Sequence, residues 1–302
     1  MKLIIGVDAG GTKTAAAAYS QDGRLLKEAL TGFGNLLNGP EKACENIVEG
    51  IRACLVEEAA ETHVYIGAAG IAAGDNKALV EKSVREAFPF ATVRVVTDSH
   101  LMLYALFEGR DGMLLISGTG SIAYSKRGEA FHRFGGWGQL LADRGSGYDI
   151  VRNAVIAMLD DYDHGRPFSP LSDKILAELD TDVFGMVKFF HSVPKGDIAA
   201  LLPIIVNQAA AGDKEAAALL FSAGEYLAYM AQELYHTTGY TRPIGLSVSG
   251  SVLEKIPEVR ESFFKQISCG SGKFEICEGT RSATAGAFYL HKSEKSKGAE
   301  IL

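Results

Sequence analysis

The fold of this chain is decided by a stretch that reads LIIGVDAGGTKT over residues 3–14 and continues to YSQDG at 19–23. Later in the chain, LLISGTGS at 114–121 leads to YSKRG at 124–128. Each copy has an apolar strand, a glycine–threonine turn, a segment of small residues and a Tyr-Ser-x-x-Gly ending. We interpret the pair as an internal duplication, and its wide spacing predicts two related domains rather than a solenoid of short repeats.

Both copies are typical of β-hairpins whose turns are nearly all backbone. Glycine tolerates positive φ and has no Cβ to hold a ligand away, and the free N–H groups of such a turn can bind phosphate oxygens. A Walker motif is excluded because Thr12, not lysine, follows Gly11. The run from Gly118 to Ala123 resembles a dinucleotide-binding turn, but a second strand rather than a helix is predicted to follow. Two copies with hydroxyl residues at their tips favour a nucleotide phosphate chain held between them.

Length and charge narrow the class of protein. The 302 residues exceed the size at which one core keeps growing, which predicts two domains. The formal net charge of −7 offers no basic surface to a nucleic-acid backbone. No apolar run reaches the roughly 20 residues that span a bilayer, and the first strand ends at Asp8 without a signal-peptide core. We therefore predict a cytoplasmic protein with no nucleic-acid or membrane partner.

Strands and helices alternate after the first hairpin. Hydrophobic spacing predicts helices at 40–60, 76–88, 101–107, 151–159, 215–235 and 283–290, and strands at 64–67, 93–96, 244–248 and 274–277. This order predicts an α/β fold in which helices cover each sheet and functional loops follow the carboxyl ends of the strands, where Asp98 lies. The region 160–240 is predicted to be mainly helical and contains no chemical motif.

The four cysteines show neither metal-ligand spacing nor a disulfide framework. The helical setting of Cys44 and Cys54 and the strand-like setting of Cys277 predict buried thiols that pack as small apolar groups. We assign no chemistry to them or to Cys269.

These motifs together resemble the N-acetylglucosamine kinase and BadF-type ATPase family of the actin, Hsp70 and sugar-kinase superfamily. The resemblance is carried by residues 8–14, 97–98, 115–121, 135–138, 143, 145–146 and 249–251. It extends over 3–155 almost continuously and returns at 244–290. It implies an α/β fold of two RNase H-like, actin-like ATPase domains with a cleft between them. The implied domains are 1–108 and 109–302, with the closing helix 283–292 able to pack back on the first.

The resemblance also implies ATP and Mg²⁺ as cofactors. The residues implied to bind ATP are Gly10, Gly11, Thr12, Lys13, Thr14, Gly118, Thr119, Gly120, Gly250 and Ser251. Asp8 would hold Mg²⁺ through water, which suits a hard cation that keeps much of its hydration shell. From local sequence alone, Gly250-Ser251 is nearly as typical of a plain turn from a strand into a helix.

Asp98 is the candidate catalytic base, and it would contact the substrate as it takes the proton of the attacking sugar hydroxyl. An aspartate between a strand and a helix fits an N-cap equally well on spacing alone. The resemblance at this position favours catalysis, for which a positioned base contributes roughly 10² to 10⁴ in rate.

Five further residues match sugar-binding positions of the kinases, namely Asn35, Gly136, Trp137, Gly138 and Asp143. Carboxylates and amides suit this role because they share paired hydrogen bonds with neighbouring hydroxyls. Alternatively, Asp143 could be a structural loop or helix-cap residue, and Trp137 could belong to the hydrophobic core. Arg144 stands where animal kinases of the family carry an acidic residue. Its side chain could contact an acidic substituent of the sugar, or it could be solvated without contacting the substrate.

The resemblance thus implies an ATP-dependent kinase of an amino sugar, which we take to be N-acetylglucosamine phosphorylated at its 6-hydroxyl, acting as a homodimer. Glucosamine, N-acetylmuramic acid and glucose are alternative substrates, and an ATP-binding protein of the BadF type without sugar kinase activity is an alternative function. An activator of a radical dehydratase would need cluster-binding cysteines near the second turn, and none lies between Cys54 and Cys269. The zinc-containing sugar-kinase branch is disfavoured because its cysteine cluster is absent.

Overall fold

A computed structural model describes residues 1–57, 59–277 and 281–300, with side chains described as far as residue 295. The chain divides into two compact units: unit 1 comprises Met1–Asp111 and Gly279–Leu302, and unit 2 comprises Gly112–Glu278. Among the described helices, none is both long and apolar enough to cross a bilayer.

Unit 1 contains a mixed five-stranded sheet with the order β3-β2-β1-β4-β5. Its strands are β1 (Lys2–Ala9), β2 (Thr14–Ser20), β3 (Leu25–Thr31), β4 (Glu61–Ala68) and β5 (Ala91–Thr97). Strands β1, β2 and β3 form an antiparallel meander, whereas β4 and β5 run parallel to β1. The carboxyl ends of β1, β4 and β5 therefore lie along one edge of the sheet.

Helices cover this sheet and close its core. They are α1 (Pro40–Cys54), α2 (Asn76–Ala87), α3 (Asp98–Phe107) and, at the end of the chain, α12 (Gly286–Glu300), with short 3₁₀ turns at Leu36–Asn38 and Ala283–Ala285. The apolar residues of β1, β4 and α1 form one continuous core with no exposure at Ile5, Ile47 or Ile66. Helix α12 contacts α3 and β1.

Unit 2 repeats the sheet of unit 1 with the order β10-β9-β6-β7-β8. Its strands are β6 (Gly112–Ser117), β7 (Ser121–Arg127), β8 (Ala130–Gly135), β9 (Ile244–Ser249) and β10 (Phe274–Ile276). Again the first three strands form an antiparallel meander and the other two run parallel to the first. Both predicted hairpins, and the α/β class with two related domains, are confirmed.

The helical region of unit 2 lies between β8 and β9. It contains α4 (Gly147–Asp163), α5 (Pro170–Glu178), α6 (Val183–Ser192), α7 (Lys195–Ala199), α8 (Leu202–Ala210) and α9 (Lys214–Thr238), and α10 (Ser251–Lys255) and α11 (Pro257–Cys269) follow β9. The long helix α9 packs on α11 and on β7 and β8, and its buried face, including Leu220, Leu227 and Leu234, belongs to the core of the unit.

Several elements differ from the sequence-based expectations. Helix α1 ends at Cys54 instead of reaching residue 60, because Leu55 is extended with a ψ of 147° and its carbonyl accepts a bond from Lys27 Nζ at 2.6 Å. The prediction of a buried Cys277 was wrong, since this residue lies just past the short strand β10 and is exposed. Cys44 and Cys54 are buried as predicted, and Cys269 is exposed.

The boundary between the units falls in the connection from α3 to β6. The sequence-based limits of 1–108 and 109–302 divide the chain within the same connection, because α3 ends at Phe107 and β6 begins at Gly112. The closing helix, predicted over 283–292, begins with a 3₁₀ turn and continues as α12, which the contacts assign to unit 1.

Candidate functional site

In unit 1, two carboxylates lie at the carboxyl ends of parallel strands. Asp8 is the penultimate residue of β1 and lies opposite Gly67 of β4, and Asp98 directly follows β5. Gly67 lets α3 begin close to β4, because a Cβ there would lie only 3.2 Å from the Cα of Asp98. Burial raises the pKa of Asp8, the negative charge of Asp98 raises it further, and Lys13 partly offsets the rise. The two carboxylates therefore share one electrostatic environment.

Asp98 is the first residue of α3 but does not cap it. Thr97 is the N-cap, and its hydroxyl accepts a bond from the His100 N–H at 3.2 Å. The alternative that Asp98 itself is the N-cap is therefore wrong. Its Oδ1 accepts the neighbouring Ser99 N–H at 2.7 Å. Burial raises the pKa of Asp98, and backbone N–H groups partly offset this rise.

The first glycine turn is held by backbone hydrogen bonds. Gly10 N–H donates to the Lys13 carbonyl at 3.0 Å, and the Gly10 carbonyl accepts from the N–H groups of Gly34 and Asn35 at 2.8 and 2.9 Å. These bonds bring Asn35, whose side chain accepts from the Leu37 N–H at 3.0 Å, next to the turn. Residues 11 to 13 are exposed.

Thr14 differs from the other residues of the first turn. It is the first residue of β2 and is fully buried. A Cβ on Gly34 would lie 2.5 Å from its Oγ1, so the loop that carries Asn35 covers this hydroxyl. The structure thus places Gly11, Thr12 and Lys13 at the surface of the turn and Thr14 beneath it.

In unit 2, the second glycine turn is fixed to the loop before α4. Within the turn, Gly118 N–H donates to the Gly120 carbonyl at 2.9 Å, and the Gly118 carbonyl accepts from Gly147 N–H at 2.8 Å. The hydroxyls of Ser117 and Ser121, at its two ends, donate to the Gly145 and Arg144 carbonyls at 2.9 and 2.7 Å. Two segments that are distant in sequence therefore form one rigid surface.

Asp143 lies directly against this turn. Its backbone is left-handed, with a φ of 64°, and its side chain is only 4% exposed. A Cβ on Gly120 would lie 2.9 Å from Asp143 Oδ2, and Lys195 Nζ lies 3.4 Å from the same oxygen. Sequence reasoning missed Lys195, because it comes from the short helix α7 and carries no local motif.

The loop after β8 holds the glycines and tryptophan of the predicted sugar site. Gly136 has a φ of 69°, and a Cβ there would overlap the side chain of Ile122 at 2.2 Å. Trp137 is 64% exposed, so the alternative that it belongs to the core is wrong. The Arg133 guanidinium lies 3.7 Å from the centroid of the tryptophan ring.

Gly250 and Ser251 also adjoin the second turn. Gly250 has a φ of 96° and passes so close to β6 that a Cβ would lie 2.3 Å from the Ser117 carbonyl oxygen. Ser251 is exposed, and its Oγ lies 3.7 Å from the position of a Cβ on Gly118. The pair is indeed a turn from a strand into a helix, and it shares a surface with Gly118.

Comparison with known proteins identifies the family. The sequence model of the BadF/BadG/BcrA/BcrD ATPase family matches residues 5–287. The chain belongs to this family. Among relatives, an N-acetylmuramic acid/N-acetylglucosamine kinase of Clostridium acetobutylicum is 28% identical over 305 residues, covering 97% of this chain and 99% of the relative. A glucosamine kinase of Vibrio cholerae is 26% identical over 264 residues, covering 85% of this chain and 87% of the relative.

A solved structure supports the fold assignment. A Chromobacterium violaceum protein assigned as an N-acetylglucosamine kinase has a TM-score of 0.70 at 24% identity, with 96% of this chain and 99% of that chain covered. This likeness concerns the fold. The family resemblance that the sequence motifs indicated is confirmed.

Proposed function

We propose that this member of the BadF/BadG/BcrA/BcrD ATPase family is an ATP-dependent kinase that phosphorylates an amino sugar, with N-acetylglucosamine as the substrate and its 6-hydroxyl as the acceptor. The observation that carries the proposal is the environment of the Asp98 carboxylate. This group is partly buried at the carboxyl end of a parallel strand, and it does not serve as the N-cap of the helix that follows. Such a group is available to accept a proton.

Asp98 acts as the general base in this proposal. It takes the proton of the sugar hydroxyl while the hydroxyl oxygen forms a bond to the γ-phosphorus, and the bond from that phosphorus to the β,γ-bridging oxygen breaks to release ADP. A raised pKa makes the carboxylate a stronger base than an exposed aspartate, which favours proton transfer near neutral pH.

The glycine turns bind the ATP phosphates in this proposal. Gly11 and Thr12 of unit 1 and Thr119 and Gly120 of unit 2 would offer backbone N–H groups, which suit phosphate oxygens. Gly10 and Gly118 are proposed to line the same turns without donating, because their own N–H groups bond to the Lys13 and Gly120 carbonyls. Lys13 is exposed beside the first turn and adds a positive charge. Thr14, which the resemblance implied to bind ATP, is fully buried beneath the turn, so we propose that it supports the turn instead of contacting the phosphates. Gly250 and Ser251 adjoin Gly118 and are proposed to contact the adenosine.

Magnesium is the proposed metal cofactor. No group of three or more histidine, cysteine, aspartate or glutamate side chains among the described residues is arranged to hold a metal ion. Asp8 fits a cation held through water, because its carboxylate already experiences the repulsion of Asp98 and a cation would relieve it. Bound Mg²⁺ would neutralise the charge of the phosphates.

The sugar is proposed to contact Asn35, Asp98, Gly136, Trp137, Gly138 and Asp143. Asp143 suits this role because its buried carboxylate has a fixed backbone and an ion pair with Lys195 at 3.4 Å, so its remaining acceptor positions are oriented in advance. The relatives are named for N-acetylglucosamine, N-acetylmuramic acid and glucosamine, and the last two remain alternative substrates. We further propose a cytoplasmic homodimer, which light scattering after size-exclusion chromatography would test.

A sugar panel tests the proposed activity. ADP release is measured with N-acetylglucosamine, glucosamine, N-acetylmuramic acid, glucose and no sugar, and the phosphorylated position is determined by ³¹P NMR. The proposal predicts the highest kcat/KM with N-acetylglucosamine and a 6-phosphate product. ADP release that no sugar stimulates would instead support an ATPase or ATP-binding protein without sugar kinase activity.

A further inference from the structure

A cavity in unit 2 lies between α4 and α9, and its lining contains none of the residues assigned above to ATP, magnesium or the sugar. Its volume is about 330 Å³, and its polar lining residues are Arg144, Asp149, Arg152, Asn153, Ser222 and Tyr226. Two guanidinium groups face one carboxylate, so the charged lining carries a net positive charge of one. A cavity of this size is at the lower end of those that bind small metabolites.

Arg144 is oriented but not neutralised. Its guanidinium carbon lies 4.0 Å from the centroid of the Tyr226 ring, and no carboxylate of the described residues forms a salt bridge with it. Stacking fixes the guanidinium plane and leaves the N–H groups at its edge free to donate. Arg144, whose role the sequence left open, therefore lines this cavity and is also exposed to solvent.

Arg152 supplies a second donor with unused capacity. Its Nη2 donates to Asp149 Oδ1 at 2.6 Å, but its Nε is buried and has no hydrogen-bond partner among the described residues. Because this Nε is enclosed, an anion in the cavity would meet the accessible part of the Arg152 guanidinium, whose position the bond to Asp149 fixes.

We propose that this cavity is a second anion site, which binds the phosphate group of a small phosphate monoester. Planar guanidinium groups match the geometry of phosphate oxygens, and the Asn153 amide and Ser222 hydroxyl add neutral donors at the same lining. The site does not depend on the proposed kinase activity. The cavity would bind a phosphate monoester, whereas the glycine turns are proposed to bind a nucleoside triphosphate.

The cavity is connected to the second glycine turn by hydrogen bonds. Asp149, the partner of Arg152, also accepts the Gly145 N–H at 2.8 Å. The carbonyls of Gly145 and Arg144 in turn accept the hydroxyls of Ser117 and Ser121. An anion that draws Arg152 away from Asp149 therefore acts on the loop that supports the turn.

Calorimetric titration of the full chain tests the site. Methyl phosphate and, separately, inorganic phosphate are titrated into protein saturated with magnesium and AMPPNP, so that the nucleotide site is already filled. Arg144→Gln and Arg152→Gln are each expected to weaken methyl phosphate binding about tenfold or more, because each removes a charged hydrogen-bond donor. Tighter binding of methyl phosphate than of inorganic phosphate would indicate that the organic part also contacts the cavity, and equal binding would indicate a site for the phosphate group alone.

The matched control is Arg260→Gln, which removes an arginine stacked on Phe264 at 4.8 Å in α11 and outside the cavity. It should bind methyl phosphate as the wild type does. The proposal is overturned if the wild type binds neither ligand, if Arg144→Gln binds as tightly as the control, or if Arg144→Gln loses AMPPNP affinity in parallel. Should Arg152→Gln fail to fold, Arg144→Gln decides alone, because Arg144 is exposed and contacts chiefly Tyr226.

Discussion

Gly6→Ala tests whether the packing of the C-terminal segment on β1 holds unit 1 together. Gly6 lies in the middle of β1 and is paired with Ala17 of β2 and Tyr65 of β4. A Cβ at this position would lie 2.0 Å from the Thr284 carbonyl oxygen and 2.8 Å from the Ala287 Cβ. The absent side chain is therefore what allows the 3₁₀ turn and α12 to approach the sheet.

The magnitude follows from the overlap. Real Cβ atoms essentially never approach within 3.0 Å of such an atom, so the Thr284 backbone must move by at least the difference of 1.0 Å between 3.0 and 2.0 Å. Strand β1 cannot yield easily because it is paired on both sides. Thr284 is also tied to the sheet by its hydroxyl, 2.9 Å from Tyr19 Oη. Overpacking of this kind costs about 1–3 kcal/mol, so we expect the free energy of unfolding to fall by about 2 kcal/mol.

Urea denaturation followed by circular dichroism measures this loss, and Gly11→Ala is the control. Nothing lies within 4 Å of a Cβ on Gly11, so this variant should keep the wild-type midpoint. With slopes of about 1–3 kcal/mol per molar urea, Gly6→Ala should lower the midpoint by about 1 M. Equal midpoints for the two alanine variants would refute the packing account.

Two further predictions concern the second turn and the C-terminal helix. A Cβ on Gly120 would lie 2.9 Å from Asp143 Oδ2, whereas a Cβ on Gly118 would lie 3.7 Å from Ser251 Oγ, an ordinary contact distance. Gly120→Ala should therefore raise the KM for the sugar and lower the melting temperature, and the control Gly118→Ala should keep the wild-type melting temperature. Equal melting temperatures for the two variants would contradict this prediction. Burial lowers the pKa of His291 from 6.5 to about 4, so the unfolded chain binds a proton that the folded chain rejects. Stability should fall by up to about 3 kcal/mol as pH drops from 6.5 to 4, since 2.5 pKa units at 1.36 kcal/mol each give this limit. In His291→Gln, denaturation curves should show a shallower pH dependence over this window, and an unchanged slope would argue against this residue.

The parts of the fold that the sequence predicted are those with a strong local signal. The hairpins were predictable because each glycine turn separates two apolar strands that pair directly, as Asp8 with Ala15 and Ile116 with Ile122 confirm. The position of Asp98 was predictable because strands alternate with helices in this part of the chain, and Asp98 directly follows an apolar strand. In both cases the pattern and the tertiary structure agree.

The parts that were missed depend on contacts between distant residues. Strand β3, at a sheet edge, is mostly exposed and has no apolar face that its spacing could reveal. Lys195 meets Asp143 only because α7 folds back on the second turn, and the sequence between them gives no sign of this. The choice of Thr97 rather than Asp98 as the cap depends on backbone geometry that spacing does not resolve.

The role of Asp98 is tested most directly by ADP release from Asp98→Asn with N-acetylglucosamine, alongside calorimetric measurement of magnesium-ATP binding and the melting temperature. The variant should lose roughly 10² to 10⁴ in sugar-stimulated turnover and keep the wild-type ATP affinity and melting temperature, because the helix cap belongs to Thr97. Near wild-type turnover in a folded Asp98→Asn protein would contradict the assignment of this carboxylate as the base.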